Sequence, residues 1–271
     1  EPDIVLYAAV ASASTKGHQW QWSLRLMDEM QVRSCMHNIV TCSATVNACR
    51  AGRMWQRALR LIRRATHMHL ELNVIALGAA ITACEKGMQW RWAVGTLRGM
   101  WEGVLAPNVI TLNAAVSACE KCRLWDWALS LLWSSRTKPD VVTYSAAVSA
   151  CKESLKWTLA LSLLTTMRVC NLRPNEVTAS AAISACEECY RWQWALQLWG
   201  SPLLRTHGGP IANRITHNAV ISSLAKGEEW GSTLRLLANM RGLSLVPSEV
   251  TCNAVGSACD RAGRWNQALL L

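Results

Sequence analysis

Twelve cysteines are the residues of this chain best equipped for chemistry. Two pairs, Cys119-x-x-Cys122 and Cys186-x-x-Cys189, have the spacing of half a zinc site or of a redox dithiol. Histidines do not recur near these pairs, so zinc would lack its remaining donors. Glu187-Glu188 could be a metal-binding pair, but it also reads as a variant of a charged helix end, as does Glu228-Glu229. No nucleophile elbow, phosphate-binding glycine loop, dinucleotide fingerprint or zinc-protease motif occurs. The chain therefore reads as non-enzymatic, with no cofactor and no metal.

Composition narrows the remaining choices. Of the 271 residues 51% are apolar and 17% charged, enough to bury a core and unlike a disordered tail. Lys and Arg exceed Asp and Glu by 28 to 18, and the resulting charge of +10 suits a polyanionic partner, with nucleic acid first to test. The cysteines are too dilute for a disulfide scaffold and are read as reduced. Apolar stretches fall short of the roughly 18 residues of a membrane span, so a soluble protein without a membrane partner is expected.

A fixed period organises the chain and takes precedence over local readings. IVLYAAVASAS from Ile4, IVTCSATVNAC from Ile39, VIALGAAITAC from Val74, VITLNAAVSAC from Val109 and VVTYSAAVSAC from Val141 align without gaps. EVTASAAISAC from Glu176, RITHNAVISSL from Arg214 and EVTCNAVGSAC from Glu249 continue the series. The repeats are 4–38, 39–73, 74–108, 109–140, 141–175, 176–213, 214–248 and a partial 249–271. The truncated last repeat has no following cap, so the protein is expected to continue beyond Leu271.

Each repeat reads as two helices. Leu112, Ala115, Val116 and Cys119 recur at i, i+3, i+4 and i+7, and Trp125, Ala128, Leu129 and Leu132 repeat that spacing. Pro107, Pro139, Pro174 and Pro247 stand one residue before a repeat ends, outside both helices. One hairpin cannot cover its own apolar faces, but stacked hairpins can. The expected fold is all-α: a single domain forming a right-handed α-solenoid of tandem helix-turn-helix hairpins.

Trp20, Trp55, Trp90, Trp125, Trp157, Trp192, Trp230 and Trp265 all hold the seventeenth place. Their spacing with Ala and Leu favours hairpin packing over base stacking. Trp22, Trp92, Trp127 and Trp194, in the nineteenth place, are less regular, and a surface or neighbour-packing role stays open for them. Cys49, Cys84, Cys119, Cys151, Cys186 and Cys259 share the eleventh place, where a small buried residue suffices.

The first helix also carries a polar stripe, represented by Ile110, Asn113, Ser117 and Lys121. The fifth place holds Ala8, Ser43, Gly78, Asn113, Ser145, Ser180, Asn218 and Asn253, all short. A merely solvated face would favour long Lys and Glu side chains, so this row suggests a surface that admits a ligand closely. Lys16, Arg50, Lys86, Lys121, Lys152, Lys226 and Arg261 bring positive charge near the end of the same helix. Charge near a helix C-terminus is ordinary by itself. Joined to the period-matched polar row, it favours phosphate contact and a single-stranded polynucleotide addressed one nucleotide per repeat.

On these residues the chain resembles the pentatricopeptide-repeat family. Pro139-Asp140-Val141-Val142-Thr143-Tyr144-Ser145 and Pro107-Asn108-Val109-Ile110-Thr111-Leu112-Asn113 look like its repeat junctions, and Ala128-Leu129-Ser130-Leu131-Leu132 resembles its second helix. The systematic Trp, the absence of Phe and the altered fourth and sixth lengths depart from the pattern. The resemblance implies modular binding of single-stranded RNA, with the fifth and last residues of a repeat reading a base edge. It assigns base sandwiching to the second place: Val5, Val40, Ile75, Ile110, Val142, Val177, Ile215 and Val250.

By the family's pairing rules Ser43 with Asn73, Ser145 with Asn175 and Ser180 with Asn213 favour adenine. Asn113 with Asp140 favours uracil and Asn218 with Ser248 cytosine. Ala8 with Asn38 and Gly78 with Asn108 give weak or undefined preferences, and Asn253 lacks its partner within the sequence. Repeats one to seven then read 5′-N-A-N-U-A-A-C-3′. The resemblance further implies support of organellar RNA processing, stability, translation or editing in a mitochondrion or plastid. A protein-interaction solenoid and the targeting segment of a larger enzyme are the alternatives.

Overall fold

In the computed structural model five first helices start where a short polar side chain replaces the helix's missing hydrogen-bond acceptor. Asn73, Asn108, Asp140 and Asn175 each accept the backbone N–H three residues on, at 2.8–2.9 Å, and Ser248 does so at 3.3 Å. The residue assigned to base reading at the end of one repeat is thus the N-cap of the next. The structure describes residues 9–10, 13, 19–32, 39–68, 70, 72–103, 105–201, 205–206, 209–210, 214–243, 245–264 and 266.

The chain divides into two compact bodies, Glu1–Pro139 and Asp140–Leu271. The first contains α1 (Trp20–Val32), α2 (Ile39–Ala51), α3 (Trp55–His67), α4 (Val74–Lys86), α5 (Trp90–Glu102), α6 (Val109–Lys121) and α7 (Trp125–Ser134). First helices pack on first helices, α2 on α4 and α4 on α6, while α3 and α5 bridge consecutive repeats on one side. The second contains α8 (Val141–Glu153), α9 (Trp157–Val169), α10 (Glu176–Glu188), α11 (Trp192–Gly200), α12 (Arg214–Lys226), α13 (Trp230–Gly242) and α14 (Glu249–Arg261). There α8, α10, α12 and α14 pack in series, with α9, α11 and α13 alongside. Each body is an α-solenoid of helical hairpins with nearest-neighbour contacts. One departure from the all-α expectation is a two-residue antiparallel ladder, Arg205–Thr206 with Gly209–Pro210, in the long connection of the sixth repeat.

The core follows the apolar period. Leu112, Ala115, Val116 and Cys119 are fully buried, as are Ala147, Val148 and Cys151 in the next repeat. Third and tenth places are buried as well, and so is the sixth from Ala79 to Ala219, where a first helix has a neighbour on both flanks. His217 takes the fourth place of the seventh repeat, buried with its ring 4.4 Å from that of Trp199.

Hairpins close through a repeated turn. The fifteenth residue is left-handed in seven repeats, and in six it is not glycine: Arg53, Met88, Arg123, Leu155, Tyr190 and Glu228, at φ 55–61°. The sixteenth N–H then reaches the eleventh carbonyl, as from Gln89 to Cys84 at 2.8 Å and from Lys156 to Cys151 at 2.9 Å. This is a Schellman closure, which glycine fills without steric cost. Just before it, the fourteenth place receives the indole of the preceding repeat. A Cβ at Gly87 would lie 2.4 Å from Trp55 Cδ1, and one at Gly227 would lie 2.2 Å from Trp192 Cδ1. Where Cys122 and Cys189 stand instead, Trp90 and Trp157 meet Trp127 and Trp194, with ring centroids 5.3 and 5.8 Å apart. The seventeenth-place indoles therefore join consecutive repeats, and Trp127 and Trp194 have a neighbour-packing role.

Two stability changes follow. Leu155→Gly relieves the left-handed strain at an exposed site and raises stability by about 1 kcal/mol in chemical denaturation. Gly87→Ala displaces the Trp55 indole and lowers stability by roughly 1–3 kcal/mol in the same measurement.

Candidate nucleic-acid interface

On helices that are otherwise buried, the second place is open. Val40, Ile75 and Ile110 in the first body and Val142, Val177, Ile215 and Val250 in the second are 56–74% exposed. Burial of an Ile side chain is worth about 1.5–3 kcal/mol, so a repeated exposed β-branched residue forgoes stability at every turn of the array. Val5, the first of the series, lies outside the described residues, as do Ala8, Lys16, Asn38 and Asn213.

The fifth place lies one turn along, on the same side. Ser43, Asn113, Ser180 and Asn218 are half-buried, Asn253 is exposed, and Gly78 and Ser145 are buried. In the fifth and seventh repeats the fifth and last residues meet beside a third side chain. Ser145 Oγ is 3.4 Å from Asn175 Oδ1 and 2.6 Å from Thr178 Oγ1, and Thr178 Oγ1 donates to Asn175 Oδ1 at 2.7 Å. Asn218 Nδ2 donates to Ser248 Oγ at 3.1 Å, while Thr251 Oγ1 donates to Asn218 Oδ1 at 2.6 Å. The structure thus brings together the two partners in the fifth and seventh repeats. Thr178 and Thr251, each fully buried in the third place of the following repeat, are polar members that the pairing rules omit. Their signal in the sequence was Thr in the third place of six repeats, Thr41, Thr111, Thr143, Thr178, Thr216 and Thr251, with Leu6 and Ala76 the exceptions.

Several of the cations are paired within the repeat array. Lys121 Nζ donates to Glu85 Oε1 at 2.7 Å, and Ser117 Oγ donates to the same oxygen at 3.2 Å. The arrangement recurs three repeats on: Lys226 Nζ is 3.0 Å and Ser222 Oγ 2.6 Å from Glu187 Oε1. Lys152 lies 3.3 Å from Glu153 and 3.9 Å from Glu188, which stands in the thirteenth place where other repeats carry a cation. Glu187 and Glu188 therefore belong to a ladder of opposite charges between successive repeats. Arg50 donates to Asn47 Oδ1 at 2.8 Å, Arg261 Nη1 lies 3.5 Å from the Ala225 carbonyl, and Lys86 is exposed. Such partly exposed pairs contribute about 0–1 kcal/mol each, little enough for a phosphate to compete for the cation.

The cysteine pairs pack and hydrogen-bond within the repeat array. Burial pushes the thiols of Cys84, Cys119 and Cys186 up to about 12 and that of Cys151 to about 11. They stay protonated near neutral pH and pack as small apolar groups. Cys122 Sγ donates to the Met88 carbonyl at 3.3 Å and Cys189 Sγ to that of Leu155 at 3.4 Å, each tying one hairpin turn to the next. Among the described residues no group of three or more His, Cys, Asp or Glu gathers as metal ligands, and no helix is long and apolar enough to cross a membrane.

Residues 135–188 match the family model described as the pentatricopeptide repeat domain. No curated protein matches the sequence. Among solved structures, the pentatricopeptide repeat protein PPR10 from maize aligns over 94% of this chain with 24% identity and a TM-score of 0.68. This chain spans only 36% of the maize chain. PPR10 in complex with an 18-nt psaJ RNA element aligns over 99% of this chain and 44% of its own, with 15% identity and a TM-score of 0.55. The PPR domain of Arabidopsis thaliana protein-only RNase P 1, in complex with tRNA, aligns over 66% of this chain and 95% of its own, with 12% identity and a TM-score of 0.57. At these identities the structures speak for the fold. The family model falls on one junction of the eightfold repeat, and the helical hairpins on either side of it share the fold of these pentatricopeptide repeat structures.

Proposed function

We propose that this protein binds single-stranded RNA sequence-selectively, one nucleotide per repeat, and performs no chemistry on it. The observation that carries the reading is the row of exposed Val and Ile residues in the second place, with a polar pair from the fifth and last places beside it. A flat apolar side chain above and below each base, with hydrogen-bonding groups at its edge, suits unstacked single-stranded bases better than a duplex, whose bases are already stacked. The RNA-bound relatives of the same fold support the same class of partner. The proposed base-reading residues are Ala8, Asn38, Ser43, Asn73, Gly78, Asn108, Asn113, Asp140, Ser145, Asn175, Ser180, Asn213, Asn218, Ser248 and Asn253, giving 5′-N-A-N-U-A-A-C-3′ over seven repeats. The proposed setting is an organelle, mitochondrion or plastid, where such binding serves RNA processing, stability, translation or editing.

Selection from a random RNA pool followed by titration tests this reading: the recovered consensus should contain the A, U, A, A and C at their assigned spacing. The double variant Asn113→Ser, Asp140→Asn should shift the fourth position from uracil toward adenine by about 1 kcal/mol of discrimination. An unchanged preference there refutes the assignment.

The charge ladder makes a separate prediction. Glu85→Gln releases Lys121 for phosphate, so the RNA affinity rises at low salt. The slope of log K against log salt should also steepen by about 0.7, the increment for one more neutralised phosphate on a single strand. Titrations of both proteins across a salt series measure it.

A further inference from the structure

We infer that the third-place residue of the following repeat is a positioning residue for base recognition, fixing which hydrogen-bonding groups the fifth and last residues present. The inference rests on the RNA-binding reading above and adds to it a third specificity-determining place.

The argument is one of proton and lone-pair counting. The Asn175 side-chain oxygen accepts the Thr178 backbone N–H at 2.9 Å and the Thr178 hydroxyl at 2.7 Å. A carboxamide oxygen has two lone pairs, and both are then committed. The amide cannot turn over without losing both bonds, so the group it presents to a base is its NH₂ donor. With its one hydrogen given to Asn175, the Thr178 hydroxyl has none to offer across the 2.6 Å contact with Ser145 and can only accept there. Ser145 accordingly spends its hydrogen inward, on Thr178 or on the Val141 carbonyl at 2.7 Å, and presents an oxygen acceptor. An acceptor beside a donor complements adenine, whose edge offers an amino donor and the N1 acceptor. It opposes guanine, whose N1 carries a hydrogen.

The seventh repeat shows the same rule on the other member of a pair. There the amide is Asn218, in the fifth place, and the hydroxyl of Thr251 donates to its oxygen at 2.6 Å. Thr178 and Thr251 are both completely buried, so neither touches a base; each acts through the amide it holds.

The second repeat is the natural contrast. Ser43 and Asn73 are the same pair as Ser145 and Asn175, but the third place of the next repeat is Ala76. Asn73 accepts the Ala76 N–H at 2.8 Å and Ser43 donates to the Ile39 carbonyl at 2.7 Å, with no hydroxyl between them. The second lone pair of the Asn73 oxygen receives nothing from the third place and can accept a hydrogen from the base. Two repeats with one identical pair should therefore discriminate unequally.

The test is a set of RNA oligonucleotides carrying A or G opposite repeat two or repeat five, titrated against the full chain and its variants. In the unmodified protein the preference for A over G should be about tenfold greater at repeat five than at repeat two, the size of one hydrogen-bonded base contact. Thr178→Val, nearly isosteric, should bring repeat five down to the level of repeat two, Thr178→Ser should restore it, and Ala76→Thr should raise repeat two. Circular dichroism on each variant checks folding, and the comparison within the unmodified protein needs no variant at all. Equal A-over-G ratios at the two repeats, or a folded Thr178→Val protein with an unchanged ratio, overturn this inference and leave RNA binding standing. A protein that binds none of the oligonucleotides overturns both.

Discussion

Within each body the structure depends on burying a first helix against first helices on both of its flanks. A helix so placed can expose only a narrow stripe: the second, ninth and thirteenth places stay at least partly open, and the fifth does so in most repeats. Small residues at the sixth, seventh and tenth places, such as Ala114, Ala115 and Ala118, bring the backbones close. The same closeness aligns the exposed stripes of successive helices and sets the distance between one second-place residue and the next. The apolar residues of that stripe forgo burial, which makes sense for a surface kept for a ligand with flat apolar faces.

Economy at the junction between repeats follows from the same closeness. The last residue of one repeat caps the next helix, and its side chain is oriented by the cap before any ligand arrives. Asn175 is held at its oxygen by the backbone of α10 and by Thr178, so capping and presentation are one arrangement. Preorganisation of this kind lowers the ordering cost that a flexible surface amide would incur on binding. The carboxylates of the ladder act in the opposite sense. Glu85 and Glu187 hold Lys121 and Lys226 in place and temper their charge, so the net +10 overstates the positive potential offered to phosphates along this face.

Stability and binding are drawn from separate places. The eleventh-place cysteines, the Trp residues of the seventeenth place and the left-handed turn join hairpins away from the exposed stripe. Non-glycine residues at φ 55–61° recur at that turn, so the strain is tolerated in repeat after repeat because the Schellman hydrogen bonds and the adjoining indole hold the closure.

The period, the two helices per repeat and the buried face were legible in the sequence because they depend on spacing within a single helix. Ile110, Asn113 and Ser117 fall on one side of any α-helix, and Leu112, Ala115 and Cys119 on another, whatever surrounds them. The partners of Lys121, the reason Gly87 must be small, the role of Trp127 and the link from Thr178 to Ser145 could not be read in that way. Each joins residues some thirty or more positions apart, on helices whose separation and rotation are set by packing. The sequence alone determined which face of each helix is apolar and which residues stand at each place of the repeat. Only the tertiary structure decided which of those residues touch, because a hydrogen bond or a ring contact exists only where packing brings two helices within about 3–5 Å of side-chain reach.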